Sequence, residues 1–598
     1  MKGSSFYWLL IVLLGLAWNL NEVNGLCSRK CPCMANRAYC NGMYLKEIPD
    51  DFLPTLTHLD VHNNLITNLT RASLAHLTRL QTLMLASNRI SSIEDGIFAN
   101  FRNLAGMDLS KNKLEKLPRG MFRGARSLQA ITLANNALVD VEGLFRGLRR
   151  ITILNLKYNN LQTITEKTFI ENIRLRYLDL SHNDISAIDS NAFRNLRRLR
   201  YLKLNNNPLT DLMSLKFDSS KLSLIDLEFC QLGQVVEGLP KSLQDIRMGH
   251  NNIRYISAND FRQNTRLSKL NLANNSLEYI HNEAFRHMRQ LQELWLNKNY
   301  LSLLPKRIPS RLRILHLEEN NIYNIPENIF RHHWSLSSLY LQKNRIKKIT
   351  KRTFKGSNLR NLDLEKNSIA QIEVRAFAGM SRLQSLDLSD NPTLVLDPMA
   401  LDELSGLIML KIRNLDKLDY VPSGLFKDMK SLRFLDLTGS PLIVAKMLSW
   451  DLNAGYFNTL TDLNLMNTGL SRLPVHFPDY LPKLRSITLT GNPWYCDSDI
   501  VWMRRWMYTP GLNVYMRWEI KCALPLKFKG AQLNQLSELD LAQIDPIVQS
   551  QSRTHTDEIP IGLNNTKSYP QYPYNLVSKK TETSKERTEN TIDKKSEW

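Results

Sequence analysis

The sequence predicts an α/β solenoid: a curved horseshoe of about nineteen short coils whose strands line one concave parallel sheet, with cysteine-closed ends. Three observations predict it. A phrase L-x-x-L-x-L-x-x-N-x-L recurs every 21 to 28 residues from Leu56 to Asn492. Phenylalanine returns about ten residues after the asparagine of many copies. Cysteines cluster just before the first copy and just after the last. A unit this short has no core of its own, so stacking against its neighbours must supply one.

The spacing assigns each position to a face. Well-formed copies are Leu80, Leu83, Leu85, Asn88, Ile90 and Leu336, Leu339, Leu341, Asn344, Ile346. Alternate residues of a strand point to opposite sides, so the leucines go inward and the residues between them line an exposed surface. The asparagine sits where the chain leaves the strand, and its buried amide can satisfy backbone groups of adjacent coils. Copies start at residues 56, 80, 104, 128, 151, 175, 199, 222, 243, 267, 291, 312, 336, 359, 383, 407, 432, 460 and 484, and Asn fills fifteen of the nineteen ladder positions. The exceptions are Cys230, Leu415, Ser440 and Thr468. Cys230 reads as a buried, reduced, structural thiol, with a reactive or intermolecular thiol as the alternative. The other three are consecutive, where copies lengthen to 24, 25 and 28 residues and Pro392, Pro398 and Pro441 intervene. That stretch reads either as a binding site or as drift. The phenylalanines, Phe98, Phe122, Phe169, Phe193, Phe261, Phe285, Phe330, Phe354 and Phe377, form a core spine behind the sheet.

The ends of the chain speak to compartment. Lys2, an apolar run from Phe6 to Trp18, and Val23-Asn24-Gly25 have the layout of a secretory signal peptide over residues 1–25. No later stretch approaches the roughly 18 to 20 apolar residues needed to span a bilayer, so a secreted, extracellular product is expected. Cys27, Cys31, Cys33 and Cys40 are spaced C-x3-C-x-C-x6-C, and Cys496 and Cys522 follow the last copy. In an oxidising compartment these read as disulfides. Metal binding is the competing reading of the first cluster, which contains no histidine. Six cysteines can form three bridges, leaving Cys230 unpaired. The organisation expected is a cap over 26–55, repeats over 56–491, a second cap over 492–543, and a polar, disordered tail over 544–598. Asn68, Asn274 and Asn564 begin glycosylation sequons, and a glycan on Asn274 is expected to obstruct part of the concave face.

From residue 27 to about 543 the chain resembles the extracellular leucine-rich-repeat proteins, because both cysteine-flanked ends match as well as the repeats. The resemblance implies a leucine-rich-repeat solenoid with disulfide caps, pairing Cys27 with Cys33 and Cys31 with Cys40. Asn492-Pro493-Trp494-Tyr495-Cys496-Asp497, followed by Trp502 and Trp506, is similar to the opening of the family's carboxy-terminal cap. Two of that cap's cysteines are missing here, one of them replaced by Ser498. Since the family pairs first with third and second with fourth, the double loss implies a bond between Cys496 and Cys522 with no orphan.

Partner-binding candidates are the outward aromatics: Tyr158, Tyr177, Tyr201 and Phe229 in repeats five to eight, and Trp295 and Tyr340 in repeats eleven to thirteen. Such side chains dominate interface energies, although they are also ordinary strand formers. The formal net charge is +21. Its placement is periodic, with Arg79, Arg150, Arg174, Arg198, Arg266 and Arg311 immediately before first leucines and Arg123, Arg146, Arg194, Arg262, Arg286 and Arg331 after the spine. These stripes read either as an anion site for sulfated glycosaminoglycans or as a solvated face. Nucleic acid is excluded by compartment. No nucleophile motif or phosphate loop supports an enzyme, no cofactor or metal site is legible, and His332-His333 lacks an acidic neighbour at ligand spacing. Three function classes remain: a protein-binding scaffold of adhesion, matrix organisation or receptor and growth-factor engagement; a secreted recognition protein of innate immunity; and a glycosaminoglycan-binding matrix protein.

Overall fold

Each copy of the phrase yields a three-residue strand centred on its second leucine. The computed structural model describes residues 28–543 apart from 29, 211, 213, 218–220 and 392–393. The segment expected to be a signal peptide, Cys27, Pro392 and residues 544–598 with Asn564 lie outside them. One sheet of 22 strands holds all nineteen repeat strands, from His58–Asp60 to Ser486–Thr488. Cys33–Met34 and Arg37–Tyr39 extend it at the amino end and Asn513–Tyr515 at the carboxy end. The repeat strands run parallel with second leucine against second leucine, as in Leu59↔Leu83 and Leu339↔Leu362. A one-residue slip would turn every leucine outward, so the apolar pattern fixes this register.

The asparagine ladder closes the inner edge of the core. Asn344 Nδ2 donates to Leu317 O at 2.9 Å and Leu341 O at 3.0 Å, while its Oδ1 accepts from Ile322 N at 3.0 Å. One amide thus ties its own coil to the preceding one. Two of the exceptions use smaller versions of the same device: Cys230 Sγ donates to Leu204 O at 3.3 Å and Ser440 Oγ to Ile412 O at 2.7 Å. Thr468 Oγ1 donates within its own coil, to Leu465 O at 2.8 Å. Burial pushes the Cys230 thiol up to about 12, which makes it a structural member. Leu415 has no group to donate or accept through its side chain and is fully buried.

Behind the sheet the spine phenylalanines are buried, joined by Phe145 and Phe217. Rings stack from Phe98 to Phe217 at 5.9–6.4 Å, and again from Phe330 to Phe377 at 5.8–6.1 Å. Strands in a sheet lie only about 4.8 Å apart. The back of the array is therefore longer than the front, and the array bends with the sheet inside.

The irregular stretch is an insertion. Pro441 starts a helix, Pro441–Lys446, that continues as a π-helix over Met447–Asp451. A proline at this first position loses no hydrogen bond. The insertion buries Ile443, Val444, Met447 and Leu448, and Asp451 Oδ1 accepts from Gly424 N at 3.1 Å. The sheet passes it without a break, since Leu410, Leu435 and Leu463 pair in register.

Disulfides close both ends. Cys31 bonds Cys40 and Cys496 bonds Cys522; Cys33 is also disulfide-bonded. Trp494 is fully buried in the second cap, its Nε1 donating to Leu489 O at 3.2 Å. Among the described residues no helix is long and apolar enough to cross a membrane.

Candidate functional site

The concave sheet presents its side chains in columns, because residues at the same place in successive strands stand side by side. In the column after the second leucine, Trp295, His316 and Tyr340 stack, with centroids 5.7 and 4.7 Å apart and planes within 6° and 11° of parallel. His316 Nδ1 lies 3.2 Å from Glu318 Oε1. All three rings are half-buried, which leaves part of each toward the concave space. The sequence supplies His316 as an outward residue; only the structure joins it to Trp295 and Tyr340 as one continuous ladder.

Repeats five to nine carry a different arrangement. Tyr158 and Phe229 occupy left-handed turns just before the ladder residue, with φ of 54° and 56°, rather than the strand. Tyr158 stacks on His182 at 4.2 Å and Phe229 on His250 at 4.0 Å. Tyr158, Tyr201 and Phe229 are 44%, 42% and 48% exposed. Tyr177 is a correction. It is only 7% exposed, its ring lies 6.4 Å from that of Tyr201, and its hydroxyl donates to Asp179 Oδ2 at 2.6 Å. The period of two places Tyr177 on the concave side, but Tyr201, Asp179 and Lys203 lie against it.

The charges of this face are largely met within the protein. Lys203 lies 3.8 Å from Asp179, Arg247 lies 2.9 Å from Asp245 and 3.9 Å from Asp226, and Lys343 lies 3.0 Å from Glu319. Asp363, Glu365 and Asp387 converge, with Arg413 at 3.1 Å from Glu365 and Lys411 at 3.4 Å from Asp387. Burial first, and the neighbouring Glu228 carboxylate second, push Asp226 up to about 6. Burial, opposed by the Glu365 backbone N–H and reinforced by Asp387, does the same to Asp363, also to about 6.

The outer charges differ. Arg79, Arg150, Arg174, Arg198, Arg266 and Arg311 are all exposed, and none of them forms an ion pair among the described residues. His333 is buried with Nε2 2.9 Å from Ile308 O, a packing role. Of the sequons, Asn68 is exposed on an outer strand, Asn68–Leu69, with Oδ1 accepting from Ser92 Oγ at 2.7 Å. Asn274 is exposed in the turn beside His250, 2.6 Å from its Nδ1. One group escapes the sequence reading: Tyr255, Tyr279, Tyr300 and Tyr323 are exposed on the flank of repeats nine to twelve. Their signal is an aromatic residue within four positions after the ladder asparagine in four consecutive repeats.

Leucine-filled coils, an asparagine seam and a concave parallel sheet define the class, a leucine-rich-repeat solenoid. Residues 78–138, 141–185, 173–232, 241–301, 310–357, 334–392 and 381–442 match the leucine-rich-repeat family, more than half of the chain. The chain belongs to that family, and disulfides stand at both ends of its repeats. Tsukushi of Gallus gallus is 33% identical over 135 residues, covering 23% of this chain and 35% of that protein. Vasorin of Homo sapiens is 30% identical over 182 residues, 27% of each. Trophoblast glycoprotein of Macaca fascicularis is 26% identical over 241 residues, 32% of this chain and 55% of that protein. The chain thus spans from about a quarter to about half of the length of these relatives. Among solved structures, the mouse RP105/MD-1 complex aligns at 18% identity with a TM-score of 0.48, over 85% of this chain and 99% of that one.

Proposed function

We propose that this chain is an exported scaffold that binds a protein partner along its concave face, in cell adhesion, matrix organisation or receptor and growth-factor engagement. The observation that carries this reading is the Trp295–His316–Tyr340 ladder. Its rings are held by paired strands, so little side-chain entropy remains to be lost on binding, and large rigid aromatics supply most of the energy at protein interfaces. Tyr158 with His182, Tyr201, and Phe229 with His250 offer further apolar contacts on the same face. Nineteen strands at about 4.8 Å give an arc on the order of 90 Å, room for a whole protein. Disulfides at both ends suit an oxidising compartment.

The test is crosslinked pull-down from cell surfaces and matrix with the purified secreted chain. A second bait carries Trp295→Ala, His316→Ala and Tyr340→Ala together. Protein partners captured by the first and lost from the second, at equal secretion, support the reading. An unchanged set of partners overturns it, and capture of microbial glycans or lipids instead favours innate recognition. A second reading, retention on sulfated glycosaminoglycans, is favoured by the six exposed outer arginines, whose charge no acidic side chain among the described residues offsets.

A further inference from the structure

We propose that a trough on the outer side of repeats three to five is a binding site for a sulfated polysaccharide chain. The proposal rests on the polyanion reading and gives it a place distinct from the arginine stripe that precedes the strands. Three consecutive outer turns form the trough, around Arg119–Arg126, Glu142–Leu148 and Lys167–Asn172, and it encloses about 830 Å³. Its shape follows from the middle turn. There Gly143 and Gly147 carry no side chain, and a Cβ added to either meets nothing within 4 Å. Both glycines have positive φ, 72° and 82°, so the turn itself favours the residue that leaves the space open. Beneath it the rings of Phe122, Phe145 and Phe169 stack at 6.2 and 6.3 Å. The flanking turns therefore stand about 12 Å apart at that level, wide enough for a single extended chain and too narrow for a flat bilayer to enter.

The lining charges are unbalanced. Arg119, Arg123, Arg126, Arg146 and Lys167 line the trough against two carboxylates, Glu142 and Glu171. Both carboxylates are occupied. Glu142 accepts from Thr165 Oγ1 at 2.8 Å, and Glu171 lies 3.4 Å from Arg146 and 3.4 Å from Arg149. Arg119, Arg123, Arg126 and Lys167 form no ion pair among the described residues. Cations held this close across three turns repel one another, and an oxyanion-bearing chain relieves that repulsion while taking forked hydrogen bonds from the guanidinium groups. Exposed Ile170 adds an apolar patch for the sugar ring faces.

The test uses the full chain and a size-defined heparin oligosaccharide. One variant carries Arg119→Gln, Arg123→Gln and Arg126→Gln; a control of equal charge carries Arg345→Gln, Arg360→Gln and Arg433→Gln, all exposed and outside both the trough and the stripe. The trough variant should bind about tenfold or more weakly at physiological salt and lose roughly three units of salt slope, as expected when three contacts that release counterions disappear. The control should change by less than about threefold. Equal losses in the two variants overturn the trough and leave the polyanion reading standing, whereas no binding by the unaltered chain overturns both. Tighter, trough-dependent binding to phosphatidylserine vesicles overturns the ligand class. Phenylglyoxal footprinting of the unaltered chain reads the same site without substitution. Heparin should protect Arg119, Arg123 and Arg126 ahead of Arg345 and Arg433, and absence of that preference overturns the proposal.

Discussion

Replacing Asn344 by alanine tests whether the ladder holds the coils together or merely lines their edge. The side chain makes three buried bonds, to Leu317 O, Leu341 O and from Ile322 N. Alanine leaves the Ile322 amide without a partner, in a place water does not reach, while Leu317 O keeps Asn320 Nδ2 and Leu341 O keeps Asn367 Nδ2. Such an orphan costs about 1–3 kcal/mol. Each carbonyl loses one of two bonds and adds less, so Asn344→Ala should lose about 2–3 kcal/mol. The molecule contains its own control. At Ser440 one hydroxyl donates to Ile412 O at 2.7 Å and accepts from Leu415 N at 3.1 Å, so a hydroxyl can bridge the same two coils. Asn344→Ser should accordingly recover about half of the loss. Urea unfolding followed by circular dichroism measures both variants at equal m-value. A loss below about 1 kcal/mol for alanine, or no difference between alanine and serine, refutes the reasoning.

Three further outcomes follow from buried groups and from the second cap. With Asp226 pushed up to about 6, the native chain binds more protons than the unfolded chain between about pH 4 and 6. Stability therefore falls across that window, and the cost is fully present above it. Asp226→Asn should raise stability at pH 7.5 by up to about 3 kcal/mol and be neutral near pH 4; a larger gain at pH 4 would contradict the sign. Cys230, its thiol pushed up to about 12 by burial, should resist maleimide in the native chain and react only on unfolding, as mass spectrometry of the labelled chain will show. Replacing Cys496 and Cys522 together by serine opens a bond that spans a sequence separation of 26. Loss of about 3.5 kcal/mol is expected, and an unchanged denaturation midpoint of the second cap would contradict it.

The solenoid is legible because its core is written locally. Leu80, Leu83 and Leu85 declare their strand and their inward face within six residues, and every repeat start places a strand in the sheet. The candidate site is less legible, since exposure on a stacked sheet depends on side chains one coil away, more than twenty residues along the chain. Tyr177 is covered because its hydroxyl turns to Asp179 and Tyr201 leans against it. His182 and His250 become partners of Tyr158 and Phe229 because all four occupy equivalent left-handed turns, a likeness visible only once coils are superposed. The trough is hidden for the same reason: Arg123 and Arg146 are legible as followers of the spine, but the open floor comes from Gly143 and Gly147 lying beside Gly120 and Gly124 of the coil before, with Lys167 and Glu171 at those places in the coil after.

The spine has a consequence for what the concave face can accept. Rings spaced at about 6.2 Å behind strands spaced at about 4.8 Å make the back longer than the front by roughly 1.4 Å for each coil. The radius of the concave arc is therefore set by phenylalanines that no partner touches. The array works as a fixed gauge, admitting a convex surface of one curvature and leaving a flatter or sharper one in contact with only a few coils. Leucine in place of those rings would change which bodies fit while leaving every contact side chain where it stands. In this molecule, selectivity by shape and selectivity by chemistry are encoded in different residues.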